Sequence, residues 1–303
     1  MTTKLTKHEF DKLYAQVRHW DHPSSRGTLE HLTPDRVVAA AHLVRSGVSI
    51  GLSLPMTDER RPDNPTPAHH RMTALSDSAS EGVQFIKDYI GSDFHNDGHT
   101  HLDALCHVSY HGMFFGGKPD SSATEDGAAA EDVLPATDGI VGRGVLLDIP
   151  RLRGVHWLEP GDQVSADEVR AAEHQQSVRA EKGDILLVRT GHNRRLAELG
   201  PWDTGKAKAG LHPGVAPLLA ERQVAVLGCD TNSDAAPSHV EDVDFPIHVL
   251  AVNAMGLYLL DYLQLDDLAA QCEREARWEF LCAIAPLRVP GGTGSPVNPI
   301  ATF

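Results

Sequence analysis

The fifteen residues from Asp93 to His107, DFHNDGHTHLDALCH, constrain this chain more than any other stretch. Eight of the fifteen side chains can bind a metal or move a proton: three aspartates, four histidines and one cysteine. In an extended chain, residues two apart share a face, so Asp97, His99, His101 and Asp103 line up on one side. A helix would bring Asp97 and His101 together but turn Asp103 away, and Gly98 and Thr100 are weak helix formers. The expectation is therefore a strand or extended loop over 97–103, with His107 leaning over the same spot after a turn. A lone histidine here would imply nothing. A row of histidines and aspartates on one face loses hydration if buried, and a bound divalent cation offsets that cost.

The remaining pattern predicts an α/β chain with mixed strands. A helix is expected within 1–19, where Phe10, Leu13, Tyr14 and Val17 share a side. A second follows Thr33-Pro34-Asp35 and ends near Gly47, with a capping threonine and proline in the first turn. Strands are expected at 48–56, 82–90, 142–149, 183–191, 224–230 and 278–287. VAVLGCD (224–230) is continuously apolar, as a strand buried on both faces requires. SADEVRAAEHQQ (165–176) opens with Ser165 and Glu168 in capping-box spacing, and helices are also expected at 215–223, 248–260 and 267–275. Residues 57–80, rich in Pro, Asp, Ser and His, predict a long loop. No composition break divides 1–303 into more than one domain.

Charge and composition exclude several functions. Lys+Arg number 27 against 42 Asp+Glu, a net charge of −15, which disfavours nucleic acid and an anionic membrane surface as partners. No apolar run approaches the ~20 residues of a membrane span, and MTTKLTKHEFDKLY lacks the apolar core of a signal peptide; a cytoplasmic protein is expected. The four cysteines form no CxxC pair, so neither disulfides nor a thiolate zinc site is expected. The 18 histidines beside 42 carboxylates supply imidazole and oxygen ligands instead. GGTGSPVNP (291–299) lacks the Lys-Ser/Thr of a P-loop and reads as a turn. No G-x-S-x-G elbow supports a serine nucleophile.

DGHTHLDALCHV resembles the HxGTHxDxxxH signature of the cyclase-like metal-dependent hydrolases, a family that includes bacterial kynurenine formamidase and isatin hydrolase. GTLEHLTPDRVVAAAHLVRSG (27–47), LDYLQLDDLA (260–269) and APLRVPGGTGSPVNPIA (285–301) resemble its opening, late acidic and closing segments. The resemblance implies a swivelling β/β/α-type domain, with a mixed sheet folded around a metal site. It places metal ligands on His101 and Asp103 and the catalytic histidine on His107. The family's first histidine falls on Asp97 and its glycine on His99, two departures. Asp97 can still ligate, since carboxylates suit hard-metal sites, and this tilts the expected ion from Zn²⁺ towards Mn²⁺; His95 is the fallback. The late ligands fall on His248 and Asp261, the latter carried by an apolar helix.

The implied function is metal-dependent hydrolysis of an amide, lactone or cyclic imide in a small-molecule substrate, with His107 shuttling a proton. The alternatives are a metal-dependent cyclase or lyase acting on a polyketide-like substrate, or metal binding without turnover. The resemblance also implies a homodimer or homotetramer.

Overall fold

Three largely apolar runs lie side by side, buried residue by residue: ILLVR, VLGC and YLLD, the first and last ending in a charged residue. They are parallel strands with both faces covered, the setting in which a strand can be apolar throughout. The computed structural model describes residues 4–21, 23–78 and 80–303. Its large sheet comprises β1 (Ser49–Gly51), β2 (His101–Asp103), β3 (Ile140–Asp148), β4 (Ile185–Arg189), β5 (Val226–Cys229), β6 (Tyr258–Asp261), β7 (Glu279–Ile284), β8 (Gly294–Pro296) and β9 (Ile300–Thr302). The spatial order is β1-β9-β7-β3-β4-β5-β6-β2-β8. The centre, β3-β4-β5-β6, is parallel. Antiparallel strands extend it on both sides, so the expected mixed α/β architecture is present.

Helices accompany these strands: α1 (Lys7–Val17), α2 (Pro34–Ala41), α3 (Ala166–Gln175), α4 (His192–Leu199), α5 (Ala216–Arg222) and α7 (Asp266–Glu275). Between the last two lies α6, which begins at Pro246–His248 and continues through the wider π-type turns of Val249–Met255. Thr6 and Glu9 form a capping box on α1, and Ser165 and Glu168 form the expected one on α3. Asp230, just past the end of β5, caps α4. Its carboxylate accepts from Thr190 N at 2.7 Å, Gly191 N at 2.8 Å and His192 N at 3.0 Å.

Several sequence expectations need correction. The segment 57–80 is not wholly loop: His69–Ala74 pairs antiparallel with Lys87–Gly91. That hairpin's second strand starts later than the apolar pattern of 82–90 suggested. The apolar stretch 248–260 is not one helix. Gly256 takes a left-handed conformation (φ 68°) that ends α6, and the chain re-enters the sheet as β6. α2 stops at Ala41, short of Gly47. Only three residues of 97–103 are strand; the chain bends through 95–99 before β2 begins. The expected strand at 48–56 is reduced to Ser49–Gly51.

Candidate metal centre

The sheet fixes the centre of the site. On β2, His101 and Asp103 are two residues apart and share a face. β6 runs antiparallel beside it with Asp261 directly opposite His101, and cross-strand partners share a face. β8 borders β2 on its other side, with Gly294 opposite Asp103. A side chain at Gly294 would not fit, because its Cβ would lie 2.9 Å from His95 Cε1 and 2.3 Å from the Leu102 carbonyl oxygen. His248 arrives from the start of α6.

Three imidazoles, those of His248, His101 and His95, are oriented from behind. Asp234 accepts from Ile247 N at 2.7 Å, His248 N at 3.1 Å and His248 Nδ1 at 2.6 Å. It therefore holds both the start of α6 and the histidine ring, leaving Nε2 facing the site. His101 Nδ1 donates to the His99 carbonyl at 2.8 Å, which also leaves Nε2 facing inward. His95 Nε2 pairs with Thr293 Oγ1 at 2.9 Å, so Nδ1 faces Asp103. Carboxylates, carbonyls and hydroxyls behind ligating histidines fix ring orientation in this way.

The inward atoms converge on Asp103. Its Oδ1 lies 3.0 Å from His95 Nδ1, 3.5 Å from His101 Nε2 and 3.9 Å from His107 Nε2. Its Oδ2 lies 3.5 Å from His248 Nε2, which is also 3.5 Å from Asp261 Oδ2. Asp103 is 0% exposed. Among the described residues, both of its oxygens, Asp261 Oδ1 and His95 Nδ1 are buried without a well-directed hydrogen bond. Buried polar atoms are rarely left so. Two atoms bound at about 2.1 Å to one cation, at angles between square and tetrahedral, lie roughly 3.0–3.4 Å apart, close to the shorter separations here. The donor set of imidazoles and carboxylates suits a divalent cation. Candidate ligand atoms of His101, Asp103 and Asp261 lie within 4.8 Å of one another, as do those of His95, Asp103 and His107.

Electrostatics bind the cluster together. Burial alone would raise the Asp103 carboxyl, but His107, His248, His95 and His101 hold it well below the usual carboxylate range. Asp261 is pushed up by burial and by the neighbouring Asp103 charge, against the pull of His248. Burial would lower His248, yet its three carboxylate neighbours, Asp103, Asp234 and Asp261, raise it well above an ordinary histidine. His107 goes the other way. Burial pushes it down to about 4; Asp103 opposes that, while His95 and His248 reinforce it. Its ring stacks on His95, centroids 3.9 Å apart and 7° from parallel.

Of the residues singled out by sequence, His101, Asp103, His107, His248 and Asp261 are brought together. Asp97 is not in either group of converging ligand atoms. The bend before β2 turns it to Thr204 Oγ1 at 2.5 Å, Lys208 Nζ at 3.4 Å and the Tyr262 hydroxyl. Burial opposes its charge, but Lys208, Thr204 and Tyr262 outweigh burial and lower its pKa. His99 is buried and contributes its carbonyl to the site, while neither ring nitrogen makes a well-directed hydrogen bond among the described residues. Sequence reasoning missed Asp234, Lys208, Thr204 and Tyr262. Position next to Asp261 is the one signal that pointed to Tyr262. Nothing in the spacing pointed to Asp234.

The cluster forms one end of a cavity of about 880 Å³, whose wall includes His95, His107, Lys208, Asp234, Phe245 and Tyr262. That volume suits a small organic molecule. The four cysteines are free and buried, so none offers a thiolate to the cavity. Among the described residues, no helix is long and apolar enough to cross a membrane.

Comparison with known proteins gives a consistent result. The model of the family described as putative cyclase matches residues 50–235. A crystal structure described as a novel cyclase is 27% identical and superimposes with a TM-score of 0.86, covering 96% of this chain and 99% of that one. Isatin hydrolase A from Ralstonia solanacearum shares the fold at 22% identity and a TM-score of 0.59, over 89% of this chain and 97% of that one. A predicted metal-dependent hydrolase from Bacillus stearothermophilus shares it at 17% identity and a TM-score of 0.53, over 85% of this chain and 98% of that one. No curated protein sequence matches the chain.

Proposed function

Because this chain belongs to the putative cyclase family, we propose that it is a metal-dependent hydrolase that cleaves an amide, lactone or cyclic imide of a small molecule with water. The observation that carries this reading is Asp103, wholly buried, with no well-directed hydrogen bond to either oxygen among the described residues and with imidazole nitrogens facing it. His101, Asp103, His248 and Asp261 would hold the cation. Two imidazoles and two carboxylates suit either Mn²⁺ or Zn²⁺. A divalent cation supplies Lewis-acid polarisation of a carbonyl and activates water for attack near neutral pH.

The chain's own residues do the rest. His107 stands 3.9 Å from Asp103 Oδ1 and lines the cavity. Its lowered pKa keeps the imidazole neutral at pH 7, the form that accepts a proton from the attacking water. The same nitrogen then returns that proton to the departing nitrogen or oxygen, so water is added across the bond and the histidine ends as it began. Asp234 fixes the His248 ring throughout, and the burial of Asp103 and Asp261 keeps bulk water from competing for their oxygens.

A substrate panel tests the proposal. Aryl formamides, simple lactones and cyclic imides are incubated with protein loaded with Mn²⁺ or Zn²⁺. The expected result is a ring-opened product heavier by one water from a lactone or cyclic imide, or an arylamine and formate from a formamide, formed only with metal and lost in Asp103→Asn. Turnover indifferent to chelation overturns the metal's role. A product of unchanged mass supports a cyclase instead.

A further inference from the structure

Two aspartates of the same sequence row have opposite surroundings. Asp97 has three donors: Thr204 Oγ1, Lys208 Nζ and the Tyr262 hydroxyl. The Lys208 side chain is only 3% exposed, and its ammonium also lies 3.0 Å from Tyr262 Oη. A buried ammonium needs a counter-charge, and Asp97 is the carboxylate in contact with it. Asp103, six residues on, has no donor properly aimed at either oxygen. A carboxylate saturated by a lysine and two hydroxyls has little left to offer a metal. One facing only imidazoles has its full capacity free.

His95 shows the complementary pattern. Thr293 Oγ1 holds its Nε2 at 2.9 Å, and the parallel His107 ring fixes its plane. Gly294 leaves the space the ring occupies. The result is an oriented imidazole whose Nδ1 is buried, makes no well-directed hydrogen bond among the described residues, and lies 3.0 Å from Asp103 Oδ1.

We propose that His95 is a ligand, through Nδ1, of the cation bound at Asp103, and that Asp97 is not a ligand but the counter-ion of buried Lys208. This rests on the reading above that the centre binds a divalent cation. Asp97, Lys208 and Tyr262 form a metal-free polar wall of the same cavity, backed by buried Thr204, and the centre gains an imidazole in place of a carboxylate.

Calorimetric titration of the metal-stripped full-length protein with Zn²⁺, and visible absorption of its Co²⁺ form, test this without any substrate. His95→Ala and His95→Gln should each weaken Zn²⁺ binding by at least about tenfold, a loss that even residues behind the ligands can cause, and should alter the Co²⁺ spectrum. Asp97→Asn should bind within a few-fold of wild type and keep its Co²⁺ spectrum. Lys208→Met should lower the melting temperature, and adding Asp97→Asn to it should recover part of the loss, because the double variant leaves no buried carboxylate unpaired. Circular dichroism confirms that each variant is folded. Wild-type binding and spectrum in both His95 variants would overturn the proposal. So would loss of metal in a folded Asp97→Asn. Failure of wild type to bind either ion would remove the underlying reading as well, and differs visibly from a pattern confined to one residue.

Discussion

His101 and Asp103 were legible in the sequence because two-residue alternation survives in β2, and Asp261 faces them by cross-strand register. Asp97 obeys the same alternation on paper, yet the chain bends through 95–99 and sends it to Lys208. Alternation predicts a shared face only while the backbone stays extended, and no local residue announces where the extension ends. His95, six residues before His101, obeys the same alternation and ranks behind Asp97 in the sequence because the family's first ligand position falls on Asp97. His107 tests the chemistry at this scale. His107→Ala should retain the cation and lose about 10²–10⁴-fold in turnover of whichever panel substrate is cleaved, the usual worth of general acid–base help. Metal analysis alongside the rates checks it: full activity removes His107 from the reaction, and loss of metal makes it a ligand.

Elements were legible where pattern and length agreed. The central strands follow continuous apolar runs, and the capping box of α3 forms as its spacing predicted. The stretch 248–260 was misread because an apolar run does not distinguish a buried helix from a buried strand. Gly256 was the available signal: a glycine at positive φ is a common helix end, and it separates the histidine on α6 from the aspartate on β6. The first strand of the 69–91 hairpin was hidden because it is largely exposed and polar. One glycine on the central sheet carries a clear expectation. Gly144 on β3 sits opposite Phe280 on β7, and a Cβ there would lie 2.2 Å from the Phe280 ring. Gly144→Val should therefore cost about 1–3 kcal/mol, the usual penalty of overpacking, read as a lower midpoint in urea. An unchanged midpoint would mean that the ring moves aside freely.

At the scale of the molecule, the site is a long-range assembly. Its side chains come from β2, the bend before it, the turn after it, the loop after β5, α6 and β6. Sequence could mark each as a candidate but could not show that Asp234 stands behind His248, because strand order decides that contact. β1 pairs with β9 at one edge of the sheet, and β8 at the other edge borders the strand that carries His101 and Asp103. A cation bound at 100 times its dissociation constant would stabilise the folded chain by about 2.7 kcal/mol. The central claim is that a divalent cation sits on Asp103. Anomalous diffraction from crystals soaked in Mn²⁺ tests it most directly. The account predicts a peak bounded by Asp103, His101, His248 and Asp261, absent in Asp103→Asn crystals soaked in the same way; a wild-type crystal with no peak at Asp103, or an equal peak in the variant, would contradict it.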